Sequence, residues 1–331
     1  MLYLSHSFSA KEAMFKQAAE LGASTIRLDI ELSAVFADAT MQPDWTGVDQ
    51  YMLLARRYHL NVLADLTATP DYMANCPPGT PSGRTYICPA DPDQWAADAG
   101  EIAAHTQGVI DNFEIVNEPD SGWSFLGSPE QYAEILSASY DAIHAANPSA
   151  RVALGGLRNI DARGRAWMNA VFATGGADAV HKFDIANLHI RTSAAEAGEV
   201  VSNWRGYFAS KGFSGPLWVT EAGYPADPTQ QCDPAYKGGP RAQARWLEAA
   251  IPAVLRAGAG MVFVTERDQQ SGPFASEGVL ETPNPLPADP TFRRRPSFYA
   301  VRSLASGLAA KRSRDRKQRR RSTAGASRAT G

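Results

Sequence analysis

Apolar residues along this chain follow two alternating patterns. Short apolar or alternating runs occur at residues 25–30, 61–66, 112–116, 151–155, 185–189, 217–220 and 261–265, and these read as strands. Between them apolar side chains return every three or four positions, as with Val48, Tyr51, Met52, Ala55 and Tyr58, or Leu247, Ile251, Val254 and Leu255. That spacing gives a helix one apolar stripe to lay on a sheet. Ser128-Pro129 and Asp91-Pro92 supply helix starts at the right places, and residues 296–308 form a last helix. Residues 2–5 supply only a stub of a strand before a helix that begins near Ser9.

Counting the stub, eight strands each followed by a helix predict a (β/α)8 TIM barrel in a single domain over residues 1–310. No G-x-G-x-x-G follows the first complete strand, so an open dinucleotide-binding sheet fits less well. The barrel makes its own prediction: functional residues gather where strands end, at the carboxyl mouth.

Charge separates the chain into two parts. Its net charge is −3, yet residues 311–331 hold nine Lys or Arg against the single acid Asp315, a net +8, so residues 1–310 carry −11. An acidic body argues against a nucleic-acid surface on the folded domain. A basic run without aromatic or apolar residues is expected to be a disordered tail. Three cysteines, Cys76, Cys88 and Cys232, are too few for a disulfide framework or a four-thiolate zinc site. Cys76 and Cys88 flank a loop rich in Pro, Gly, Ser and Thr, and either close it as a disulfide or stand as free thiols. No run of about 20 apolar residues could span a membrane. Met1 opens directly on Leu-Tyr-Leu without signal-peptide character, so the sequence as written reads as cytoplasmic, and as extracellular if translation starts upstream.

Two carboxylates fall where the barrel puts chemistry. The fourth strand ends in Asn117-Glu118-Pro119 and the seventh in Thr220-Glu221. Cleaving a glycosidic bond needs one carboxyl group to protonate the leaving oxygen and a second to attack the anomeric carbon or activate water. Glu118 and Glu221 can supply both. Strand alternation turns Arg27 and Asp29 inward on the second strand, Glu114 on the fourth, and Asn187, His189 and Arg191 on the sixth. Buried charge is costly when unpaired, so Glu114 is expected to find Arg27 or Arg191.

The segments Phe113-Glu114-Ile115-Val116-Asn117-Glu118-Pro119 and Leu217-Trp218-Val219-Thr220-Glu221 resemble the clan A retaining glycoside hydrolases, nearest in look to families 39 and 5. The resemblance covers nearly all of residues 2–310. It implies a retaining hydrolase of a β-linked oligosaccharide or polysaccharide, with Glu118 as acid/base, Glu221 as nucleophile, and neither metal nor cofactor. It further implies that Asn117 binds the sugar 2-hydroxyl, and it matches Arg27 and His189 to an Arg and a His of the clan. In this mechanism the charge on Glu221 is expected to raise the pKa of Glu118. Two departures stand out. Many clan members carry a Tyr where this chain has Arg191. The eighth strand reads Val264-Thr265-Glu266-Arg267-Asp268, without the Trp that often lies beneath the sugar. Trp123, Tyr224, Tyr72 and Phe274 are the candidates for that platform. Two other classes remain: a catalytically silent barrel that binds glycans, and a barrel anchored to an anionic polymer through its tail.

Overall fold

The predicted strands form a parallel β-sheet wall. In the computed structural model, which describes residues 3–326 apart from 232, 270, 271, 273 and 283–285, β1 (Thr25–Glu31), β2 (Asn61–Thr67), β3 (Asn112–Ile115) and β4 (Arg151–Leu154) pair in that order. A second set, β5 (Ala186–Ile190), β6 (Leu217–Ala222) and β7 (Ala259–Val264), pairs likewise. Parallel bridges Ala153–Ile185 and Leu157–Leu188 join the two sets. Parallel strands need crossover connections, which the helices supply. These are α1 (Phe8–Leu21), the short α2 (Leu32–Val35), α3 (Thr46–Tyr58), α4 (Pro92–His105), α5 (Pro129–Ala146), α6 (Ala162–Gly175), α7 (Ala197–Ser210), α8 (Pro240–Arg256) and α9 (Pro296–Ala326). A small antiparallel pair, β8 (Leu280–Glu281) with β9 (Arg293–Arg294), lies in the connection between β7 and α9.

Local chemistry sets the helix starts. The Asp91 carboxylate accepts from the Gln94 amide at 3.0 Å ahead of α4, and Ser128 with Gln131 makes a reciprocal capping box ahead of α5. The apolar stripe of α8 is buried through Trp246, Leu247, Ala250, Ile251 and Val254. With the strand residues Leu28, Ile30, Val62, Leu66, Phe113, Ile115, Leu188 and Val219 these form one continuous core.

The front of the chain differs from expectation. Tyr3–Ser5 adds no strand: the His6 amide donates to the Tyr3 carbonyl in a turn, and the Ser7 hydroxyl accepts from the Ala10 amide to cap α1. The Leu4 amide instead meets the Glu31 carboxylate at 2.8 Å. Among the described residues, then, β1 and β7 each pair on one edge only. A cleft of about 320 Å³ runs between them, lined by Met14, Leu21, Val262, Val264 and Leu304.

Cys76 and Cys88 are bonded, closing the loop between β2 and α4; Cys232 lies outside the described residues. The last helix continues past Leu308 into the basic segment, so the boundary expected near residue 310 falls inside α9, although no described side chain beyond Ala305 is shielded from solvent. Residues 327–331 of the expected tail lie outside the described set. No described helix is long and apolar enough to cross a membrane.

Candidate active site

Glu118 sits just past β3 on a backbone that few residues adopt. Val116 and Glu118 have φ of 63° and 41°, in the left-handed region that costs a β-branched residue most. The neighbourhood enforces this turn. The Val116 amide donates to the Leu66 carbonyl at 3.0 Å, the Tyr132 hydroxyl donates to the Ile115 carbonyl at 3.2 Å, and the Ser121 amide donates to the Glu118 carbonyl at 2.9 Å. Opposite stands the pair Gly155-Gly156 after β4. A Cβ at Gly155 would lie 2.1 Å from the Val116 carbonyl oxygen, and one at Gly156 would lie 2.1 Å from His189 Nε2. Only glycine lets the end of β3 and His189 approach this closely.

Glu221 is the penultimate residue of β6 and shares the mouth with Glu118. One carboxylate oxygen from each, together with a ring nitrogen of His189, lies within 4.8 Å of the others. Two guanidiniums hold Glu221: Arg27 Nη1 donates to Oε1 at 3.1 Å and Arg191 Nη2 donates to Oε2 at 2.6 Å. Burial opposes the charge on Glu221, but His189, Arg191 and Arg27 outweigh it and hold the carboxyl well below the usual range. These two arginines also make the cluster a poor seat for a divalent cation, which they would repel.

Arg27 is the hub beneath the pair. Its Nε and Nη2 donate to both oxygens of Glu114 at 2.8 and 3.0 Å, and Nη2 also reaches Asp65 Oδ2 at 3.1 Å and Asn117 Oδ1 at 2.9 Å. Glu114 therefore pairs with Arg27 and not with Arg191, and its Oε1 accepts the Gly156 amide at 2.9 Å. Asp65, wholly buried, is pushed well above the usual range by desolvation, despite Arg27. Asn117 completes its bonding by donating Nδ2 to Ser124 Oγ at 3.3 Å.

Glu118 meets three cationic or ionisable groups. His189 Nδ1 lies 2.9 Å from Oε1, Arg158 Nη1 donates to Oε2 at 3.3 Å, and Arg191 Nη1 is 3.6 Å from Oε1. Burial and the Glu221 charge raise its pKa, as expected from the pairing of carboxylates, but His189 and Arg191 prevail and the net shift is downward. The sequence-based expectation of a raised Glu118 thus gives way, because it counted the carboxylate neighbour and not the bases. His189 Nε2 sits 3.2 Å from Thr220 Oγ1, whose hydroxyl lies 2.9 Å from Asn187 Oδ1. The amide oxygen can only accept, so the Thr220 proton points to Asn187 and His189 Nε2 carries a hydrogen for Thr220. Nδ1 is left facing Glu118.

The aromatic candidates part ways. Trp123 stands 73% exposed on the loop five residues beyond Glu118. Tyr224 is only 2% exposed, stacks on Trp246 at 5.4 Å, and donates its hydroxyl to the Asp233 carbonyl. It is a packing residue and not a rim platform, because the loop after β6 folds back over it. Tyr72 donates to Asp98 Oδ2 at 2.7 Å, on the α4 side. Phe274 lies against the Arg191 guanidinium, 5.0 Å from ring centre to Cζ, beside the nucleophile candidate. Arg158 and Glu277 were not singled out by the sequence: both sit on loops, where no strand-end pattern marks them. Glu277 binds Arg191 through both oxygens.

No protein-family model matches the chain, and no curated relative does. Solved structures do. A family 39 glycoside hydrolase from the gut symbiont Bacteroides cellulosilyticus WH2 aligns at 16% identity and TM-score 0.67, over 90% of this chain and 61% of its own. A GH5_18 protein from Streptomyces cattleya in complex with GlcNAc aligns at 17% identity and TM-score 0.64, over 92% of this chain and 78% of its own. An exo-beta-1,4-mannosidase from Opitutaceae bacterium strain TAV5 aligns at 17% identity and TM-score 0.63, over 91% and 55%. This chain thus spans about three-fifths of the length of the first of these proteins. At such identities the likeness is one of fold: the chain has the α/β-barrel architecture of these glycoside hydrolases.

Proposed function

We propose that this protein is a retaining glycoside hydrolase of a β-linked oligosaccharide or polysaccharide, with Glu221 as nucleophile and Glu118 as general acid/base. The observation that carries the reading is the pair itself. Two glutamates from opposite sides of one barrel mouth bring oxygens within 4.8 Å, in keeping with the separation of about 5 to 5.5 Å between carboxyl groups in retaining enzymes and too close for the intervening water of an inverting one. Glu221 is held charged by two arginines, as a nucleophile must be. Glu118 stands across the same mouth with His189 Nδ1 2.9 Å from its Oε1.

The proposed reaction is a double displacement. Glu221 attacks the anomeric carbon while the glycosidic oxygen departs with the proton of Glu118. Water then gives a proton to Glu118, its oxygen bonds to the anomeric carbon, and the Glu221 ester bond breaks to regenerate the carboxylate. On this reading Asn117, held by Arg27 and Ser124, uses its remaining amide capacity to take the sugar 2-hydroxyl. Trp123 and Phe274 are the aromatic faces available to a sugar ring. The likeness to an exo-beta-1,4-mannosidase supports a glycan as substrate.

A panel of aryl β-glycosides with β-glucan, xylan and mannan oligosaccharides tests this reading. Hydrolysis of one class is expected; oligosaccharide binding with no turnover on any of them would favour a silent glycan-binding barrel. The pH profile is a second check. kcat/KM reports the free enzyme and requires protonated Glu118. Because its pKa is lowered in the folded protein, kcat/KM should fall as pH rises through a value below the ordinary Glu figure of about 4.3. An acidic optimum is expected, and a rate that stays flat up to pH 8 would contradict the assignment.

A further inference from the structure

In the clan that this chain resembles, a tyrosine hydroxyl commonly orients the nucleophile, and here Arg191 follows β5 in that place. Its guanidinium is divided between two carboxylates. Nη2 donates to Glu221 Oε2 at 2.6 Å, while Nε and Nη2 donate to Glu277 Oε1 and Oε2 at 2.9 and 3.1 Å. The Phe274 ring covers the guanidinium. Glu277 is itself locked. It is 1% exposed, Thr265 Oγ1 donates to its Oε2 at 3.3 Å, and Gln243 of α8 donates to its carbonyl at 2.8 Å. A Cβ at Gly223, directly after β6, would lie 2.7 Å from its carboxyl group, so glycine is required there for Glu277 to reach the site. The loop after β7 has thus brought a buried acid to the rear of the nucleophile's cation.

Resting on the assignment of Glu221 above, we propose that Arg191 and Glu277 form a charge-sharing clamp on the nucleophile, with Glu277 a positioning residue that sets the balance between forming and hydrolysing the glycosyl-enzyme. The reason is electrostatic. A cation on Glu221 stabilises its free carboxylate and so weakens it as a nucleophile, while making it a better leaving group in the second step. Two arginines without a counter-charge would favour the second step at the expense of the first. When the ester forms, Glu221 becomes neutral and Arg191 would face the sugar as an uncompensated charge. Glu277 offsets part of that charge in both states and fixes the rotamer from which Arg191 reaches Oε2. Arg27 from β1, His189 from β5 and Glu118 after β3 also face Glu221.

The test is pre-steady-state and steady-state hydrolysis of 2,4-dinitrophenyl β-glycosides of glucose, galactose, mannose and xylose by wild type, Glu277→Gln, Glu277→Asp and Glu221→Ala, with thermal unfolding of each. Removing the Glu277 charge should lower kcat/KM by about tenfold or more, in the range that misplacing a catalytic group produces. It should shrink the burst of dinitrophenol and leave kcat unchanged or raised, and Glu277→Asp should restore part of the burst. Equal losses in kcat and kcat/KM, or no change in either, would overturn the clamp. Should Glu277→Gln fail to fold, Thr265→Val, which takes one hydrogen bond from Glu277, is expected to show the same split at smaller amplitude, and its absence overturns the proposal equally. An inactive Glu221→Ala alongside an unsplit Glu277→Gln refutes the clamp alone. A Glu221→Ala that keeps wild-type turnover refutes the nucleophile and the clamp together.

Discussion

Glu221→Ala is expected to lower turnover by roughly 10⁴ to 10⁶-fold, the scale on which removal of a covalent nucleophile acts, while leaving the fold intact. The side chain reaches the mouth from the end of β6 and belongs to no part of the apolar core. Its removal deletes two charge-assisted hydrogen bonds, but each arginine keeps other carboxylates: Arg27 retains Glu114 and Asp65, and Arg191 retains Glu277. The variant should therefore remain folded, losing at neutral pH only the share of stability that the Glu221 charge contributes. Glu118→Ala should behave differently, sparing substrates whose leaving group needs no proton and failing on those that do. Steady-state rates on a dinitrophenyl glycoside and on an unactivated oligosaccharide distinguish the two. A Glu221→Ala protein within tenfold of wild type would remove the nucleophile assignment.

The second large effect is on stability. Arg27→Met is expected to cost about 3 to 5 kcal/mol, because breaking a buried ion pair leaves its partner charge uncompensated. Four side chains lose their donor at once, namely Glu114, Asp65, Asn117 and Glu221. Arg27→Lys should recover little, since a single ammonium cannot serve the bidentate bond to Glu114 while reaching the others. The sign with pH follows from the same charges. Glu221 has a folded pKa below its unfolded value, so it contributes stability above the unfolded pKa that is lost as pH falls toward the folded one. Without Arg27 that contribution shrinks, and the deficit of the variant should narrow on moving from pH 7 to pH 4. Urea unfolding at the two pH values checks this, and a loss under about 1 kcal/mol at pH 7 would show that the hub carries no such load.

What the sequence made legible was whatever a strand's period and end specify. Alternation alone turns Arg27, Glu114 and His189 to the inside, and the two Glu at strand ends mark the mouth; the structure brings all of these into one network. Periodicity cannot place a loop. Glu277 and Arg158 reach the site along connections whose course depends on distant packing, such as Gln243 holding the Glu277 carbonyl and Asp120 accepting the Arg158 amide. For the same reason Tyr224 looked like a rim aromatic but lies under its loop against Trp246. The lowered pKa of Glu118 depends on a His that is 71 residues away in sequence, and a pairwise view of the two glutamates misses it. The front segment has strand-like composition but forms a turn, with the His6 amide on the Tyr3 carbonyl and the Leu4 amide on the Glu31 carboxylate.

The most direct test of the central claim is covalent trapping. Incubation with 2-deoxy-2-fluoro-β-glycosyl fluorides of glucose, galactose, mannose and xylose, followed by proteolysis and peptide mass mapping, should place one fluoroglycosyl group on the peptide that carries Glu221, with loss of activity in step. An adduct on Glu118 instead, or inactivation-free turnover of the parent glycoside with inversion at the anomeric carbon, would contradict the assignment of Glu221 as the nucleophile of a retaining enzyme.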